Sequence, residues 1–130
     1  MIMTNPARIL VLDDNVDVAQ GVGEILEMSG YDVILVHDAQ NAVSAYCNGG
    51  IDVGLFDIRM PGMNGVEAYL EIRRSRPNAN VIFMSGYADN ELVMTALNNG
   101  ARGYLSKPFE PEAMLELLSE VHSGMLAEAS

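Results

Sequence analysis

Short apolar runs alternate with helix-patterned stretches five times along this chain, and that alternation constrains the fold more than any other feature. The runs are RILVL, DVILV, DVGLF, NVIFM and GYLS. None shows clean two-residue alternation, the pattern of strands covered on both faces. Residues at helical spacing lie between them. Val18, Val22, Ile25 and Leu26 share one face, as do Ala39, Ala42, Val43 and Tyr46, then Val66, Tyr69, Leu70 and Ile72. Leu92, Ala96 and Leu97 follow, and Met114, Leu117, Leu118 and Val121 close the series. Start and stop residues agree with this division. Asp14 or Asn15 is placed to cap the first helix and Gly30 to close it; Asp89 and Gly100 do the same for the fourth. A strand–helix unit repeated with right-handed crossovers gives a parallel sheet with helices on both faces. The expected class is α/β, a doubly wound five-stranded parallel sheet.

In such sheets a site lies beyond the carboxyl ends of the strands, near the point where the strand order reverses. The first run stops at Asp13 and Asp14, the third at Asp57, the fourth at Ser85 and the fifth at Lys107. Adjacent carboxylates repel, and desolvation beside a core worsens the repulsion. A hard divalent cation answers that placement. Mg²⁺ takes oxygen ligands, usually one or two carboxylates, with waters and often a phosphate oxygen completing the shell. Any one of these acids alone reads as readily as a helix cap or a loop residue. Three at strand ends, together with a hydroxyl and a lysine, favour a site. Without metal the three acids titrate as a coupled set, and at least one is pushed upward by its neighbours.

Composition narrows the function classes. The 130 residues suit one compact domain, and 49% of them are apolar, enough for a real core. Eighteen acids against seven basic residues leave a net charge of −11, which argues against direct binding of nucleic acid or of an anionic membrane. A single cysteine, Cys47, excludes a disulfide within the chain and fits a reducing, cytoplasmic setting. No apolar run approaches the roughly 20 residues of a membrane span. His37 and His122 read as surface residues, and the nine scattered methionines as core filler.

The segments LDDN, LFDIRMPGMNG, FMSGYAD and GARGYLSKPF resemble the signatures of the response-regulator receiver domain of two-component signalling, in the CheY-like superfamily. The resemblance runs from about Arg8 to His122. It implies a flavodoxin-like (βα)5 fold and a single receiver domain over 1–130, its core at about 8–122 with short tails. It also implies a phospho-acceptor at Asp57, and a Mg²⁺ (or Mn²⁺) ion held by Asp13, Asp14, Asp57 and the backbone carbonyl of Arg59. The switch pair would be Ser85 and Tyr104, and Lys107 the lysine that meets the phosphoryl group. Gly86 leaves room for that group, and Arg59 and Tyr87 flank the approach of a hydrolytic water. The MPGMNG turn would aim Asp57, and the Lys107–Pro108 bond would be cis. Taken without the resemblance, Tyr104 reads as a plain core aromatic. The implied partners are a sensor histidine kinase or histidine phosphotransfer protein and a downstream output domain or protein.

Rival classes fit less well. A carboxylate can attack phosphorus, and phosphoryl transfer asks mostly for positioning and charge neutralisation. A Mg²⁺-dependent phosphatase with an aspartyl nucleophile would share that chemistry and turn over a separate substrate. It needs a second acid two residues past the nucleophile, where this chain has Arg59. Neither G-x-x-x-x-G-K-[ST] nor G-x-G-x-x-G follows the first run, which sets aside a nucleotide-binding domain. No output domain is visible after the last helix, only SGMLAEAS.

Overall fold

The computed structural model describes residues 6–86 and 90–129. Strands β1 (Arg8–Leu12), β2 (Asp32–Val36), β3 (Val53–Asp57), β4 (Val81–Ser85) and β5 (Gly103–Ser106) alternate with helices α1 (Val16–Met28), α2 (Ala39–Cys47), α3 (Gly65–Ser75), α4 (Asn90–Asn98) and α5 (Pro111–Ala129). All strands are parallel, in the order β2-β1-β3-β4-β5. The order reverses between β1 and β3, which is the switch point of a flavodoxin-like sheet.

Local chemistry explains the elements. The side-chain oxygen of Asn15 accepts from the Val18 amide and caps α1, which leaves the adjacent Asp14 outside the helix. Asp38 caps α2 in the same way through the Asn41 amide. Asn64 and Glu67 form a reciprocal capping box at the start of α3. Gly30 and Gly100, at φ 94° and 103°, follow the ends of α1 and α4. Asp89, expected to cap α4, lies outside the described residues. Helix α5 runs on to Ala129, past His122, through a stretch rich in strong helix formers.

The sheet separates two apolar layers. Leu10, Leu12, Phe56 and Phe83 face α2, α3 and α4, while Ile9, Val11, Leu55, Ile82 and Met84 face α1 and α5. Coverage on both faces holds for β1, β3 and β4. It fails for the outer strands: every residue of β2 is only half-buried, and β5 leaves Tyr104 48% exposed. An edge strand has a neighbour on one side alone, so its faces are open at the rim. The α1 face also differs from expectation. Ala19, Val22, Gly23 and Leu26 are buried, whereas Val18 is exposed and Ile25 half-buried. Met84 and Met114 fill the core as expected, but Met28 and Met94 are exposed.

Tyr69 of α3 packs edge-on against Phe83, with ring centroids 5.6 Å apart, and Phe83 packs edge-on against Phe56. The Tyr69 hydroxyl donates to the carbonyl of Asn99, just past the end of α4, at 3.1 Å. An aromatic chain thus joins the centre of the sheet to one end of α4.

Candidate functional site

The two strands that flank the switch point deliver the acids. Asp13 follows β1 directly, and its amide still donates to Val36 of β2 at 3.2 Å. Its Oδ1 accepts from the Asn15 amide at 3.0 Å. These contacts turn the side chain inward, and Asp13 is 1% exposed; Asp14 is exposed. Asp57 is the last residue of β3 and is 6% exposed. One carboxylate oxygen from each of the three lies within 4.8 Å of the others.

Lys107 reaches this cluster from the far side. Its amide donates to the Ser85 carbonyl at 2.7 Å and continues the β4–β5 ladder past Ser106. The Lys107–Pro108 peptide bond is cis. The ammonium lies 3.2 Å from Asp57 Oδ1 and 3.3 Å from Asp13 Oδ2. Ser85, buried at the end of β4, stands one residue beyond Met84, the strand partner of Asp57.

One ammonium does not balance three carboxylates. Burial pushes the Asp57 carboxyl up, Lys107 opposes this, and Asp13 and Asp14 add to the rise. For Lys107 burial alone would lower the pKa, but Asp57 and Asp13 outweigh it and hold the ammonium above its ordinary value. Two nearly buried carboxylates and one exposed carboxylate, all within reach of one point, form an oxygen donor set that fits a hard divalent ion.

The loop after β3 sets the acceptor's main chain. The Gly65 amide donates to the Ile58 carbonyl at 3.0 Å. A Cβ on Gly65 would fall on the carbonyl of Asp57. So the MPGMNG turn brings the first residue of α3 against the backbone of Asp57, a close approach that glycine permits.

The sequence matches the family described as the response regulator receiver domain over residues 9–119. This chain is a receiver domain of that family. It is 36% identical over 119 residues to the chemotaxis protein CheY of Treponema pallidum, covering 89% of this chain and 83% of that protein. It is 35% identical to the nitrate/nitrite response regulator NarL of Escherichia coli over 95% of this chain, but spans 59% of NarL. A CheY-like receiver domain from Methanospirillum hungatei superposes with a TM-score of 0.90 at 32% identity, over 95% of this chain and 98% of that one.

The receiver domain brings Asp13, Asp14, Asp57 and Lys107 together as expected, with Ser85 on the adjoining strand end. A Cβ on Gly86 would meet open space, and Arg59 is exposed. Tyr104 is not a core aromatic; its side chain stands on the exposed face of β5. Tyr87 lies outside the described residues. His37 is exposed, but His122 is half-buried beside Arg8, Asp32 and Asp52. No helix among the described residues is long and apolar enough to cross a membrane. Sequence reasoning misses three contacts that shape the site: the Asn15 amide on Asp13, the His37 ring on the Asp13 carbonyl at 3.0 Å, and the approach of Gly65 to Asp57. Only the glycine had a signal, its place at the end of a turn motif before a helix.

The raised Asp57 carboxyl fixes the sign of a pH effect. Between its ordinary value of 3.8 and the raised one, the folded state holds a proton that the unfolded state has lost. The Asp57 contribution to stability therefore falls as pH rises through that window and stays reduced above it. Metal-free Asp57→Asn is expected to melt higher than wild type at pH 7. The gain should fade as pH is lowered toward 3.8. Melts of both proteins across pH in a chelating buffer measure it, and an Asn variant that melts no higher at pH 7 contradicts the assignment.

Proposed function

We propose that this receiver domain is a phosphorylation-dependent switch with Asp57 as its phosphoryl acceptor. The observation that carries the reading is the Lys107 ammonium, set between the carboxylates of Asp57 and Asp13 at the switch point of the sheet. An Asp57 oxygen attacks phosphorus of a phosphohistidine on a histidine kinase or phosphotransfer protein. The P–N bond breaks, its electrons stay on the imidazole, and a mixed anhydride forms on Asp57. Asp13, Asp14, Asp57 and the Arg59 carbonyl are the groups that would hold Mg²⁺ or Mn²⁺. When bound, the ion neutralises charge on the phosphoryl oxygens. Lys107 moves its charge from Asp57 to one phosphoryl oxygen, and the Ser85 hydroxyl donates to another. Gly86 leaves space beside the group, and Arg59 flanks the path of the water that returns Asp57 to a free carboxylate. Tyr104 is the second switch residue.

The change alters contacts with an output domain or protein in the cytoplasm. No separate substrate is turned over. A phosphatase with an aspartyl nucleophile is disfavoured, because Arg59 occupies the position of the general acid. The whole of 1–130 acts as one receiver unit.

Incubation of the wild type with acetyl phosphate and Mg²⁺ tests the reading. One phosphoryl group should appear and be removed by hydroxylamine, which cleaves acyl phosphates and spares phosphoserine. No label, or a hydroxylamine-stable one, overturns it.

Lys107 serves the signal more than the fold. At 32% side-chain exposure its ion pairs add little net stability. Lys107→Ala is therefore expected to fold and to be labelled slowly, yet to lack the activated conformation. Backbone NMR shifts near Ser85 and Tyr104, with and without beryllofluoride, read this. A full wild-type response in the variant refutes the role.

A further inference from the structure

Asp14 is the exposed member of the acid cluster, and what orients it is the peptide that precedes it. The carbonyl of Asp13 and the amide of Asp14 belong to one rigid plane. Holding that carbonyl therefore fixes where the Asp14 Cα lies and limits the directions in which its side chain can leave the backbone. The carbonyl is held. Strand β1 pairs with β2 up to Leu12 and Val36, and the Asp13 amide donates to the Val36 carbonyl at 3.2 Å. One residue further on, the ladder gives way to a side chain: Nδ1 of His37 lies 3.0 Å from the Asp13 carbonyl oxygen. A carbonyl only accepts, so the ring carries a proton on Nδ1. Neutral and cationic imidazole can both donate from that atom, and the contact does not depend on the ring's charge.

The other groups on Asp13 act elsewhere. The Asn15 amide and Lys107 hold its two carboxylate oxygens, and β2 holds its amide. None of these three bonds is made to the Asp13 carbonyl. The geometry points to His37 as a positioning residue for the metal ligands: it clamps the Asp13–Asp14 peptide and so keeps the Asp14 carboxylate turned toward Asp13 and Asp57. This inference rests on the proposed metal site. It adds to that site a residue outside the motifs that mark it.

His37 is exposed and its bond to Asp13 only part-buried, so its net contribution to the fold is modest. Its loss should be felt where geometry matters, in the ion. Partners that orient metal ligands typically change affinity by about tenfold or more. Mg²⁺ is titrated at fixed pH and ionic strength, and the backbone NMR shifts of Asp14 and Asn15 are followed in five proteins. These are wild type, His37→Ala, His37→Asn, His37→Gln and Asp14→Ala. His37→Ala should bind Mg²⁺ about tenfold more weakly while its metal-free melting temperature stays near that of wild type. His37→Asn places an amide N–H at the same point along the side chain as Nδ1 and should restore most of the affinity. His37→Gln carries its amide one carbon further out and should not. Wild-type affinity in His37→Ala, or equal weakness in the Ala and Asn variants, overturns the inference and leaves the metal site standing. Wild type without Mg²⁺-dependent shifts, or Asp14→Ala binding as well as wild type, overturns the metal site and the inference together.

Discussion

Asp57→Asn is expected to take up no phosphoryl group from acetyl phosphate under conditions that label wild type with one. The amide keeps the size and shape of the carboxylate but has no anionic oxygen to attack phosphorus. It also removes a charge that burial and the neighbouring acids disfavour, so the fold should hold and the comparison stays clean. Asp13 and Asp14 remain as carboxylates in the variant. They do not substitute: Asp13 is 1% exposed and has both oxygens engaged, by the Asn15 amide and Lys107. Asp14 stands outside on the loop. Intact-protein mass spectrometry reads the outcome, and a normally labelled variant would sink the assignment.

Gly65→Ala should be the most damaging glycine-to-alanine change. The added carbon would meet the carbonyl of Asp57 and lie close to the Ile58 Cα, both main-chain atoms that cannot rotate away. Either α3 withdraws from the sheet or the end of β3 moves, so stability and site geometry change together. Overpacking of this kind costs about 3 kcal/mol. Gly21→Ala is the control. It adds the same methyl to α1 where nothing lies within 4 Å, and it should stabilise by roughly 0.5–1 kcal/mol through helix propensity. Denaturant melts of the two variants compare the effects. A Gly65→Ala protein as stable as wild type, with normal labelling, would show that the close approach is not needed.

The contrast between these glycines bears on what a sequence can reveal. The five strands are legible because stretches such as ILVL in β1 and VIFM in β4 are unbroken apolar runs, and two-sided burial is the simple reason for that. The acid cluster is legible because Asp13 and Asp57 end such runs. The buried face of α1 is not. Valine and isoleucine at 18, 22 and 25 outweigh alanine and glycine on any hydrophobic scale. Yet the helix approaches β2 so closely that a Cβ on Gly23 would lie 3.1 Å from Leu35. Ala19 and Gly23 join Val22 and Leu26 in the contact, and Val18 and Ile25 sit at its rim. Edge and centre are equally hidden. DVILV reads like DVGLF, although β2 has a strand on one side only. His37 has no pattern at all, since one polar residue after a strand is what any loop offers. Its meaning comes from the strand pairing that brings it to Asp13, 24 positions away.

The bond from Tyr69 to Asn99 has a mechanical consequence. It moors α4 at its final turn to the aromatic chain in the middle of the sheet. A rod tied at one end can only swing about the tie. The nine residues of α4 make a rod of about 13 Å. A tilt of about 10° therefore hardly shifts the Asn99 end, yet carries the Asn90 end by roughly 2 Å. Leverage of this kind places the largest travel next to the strand end that bears Ser85, and the smallest beside β5's first residue.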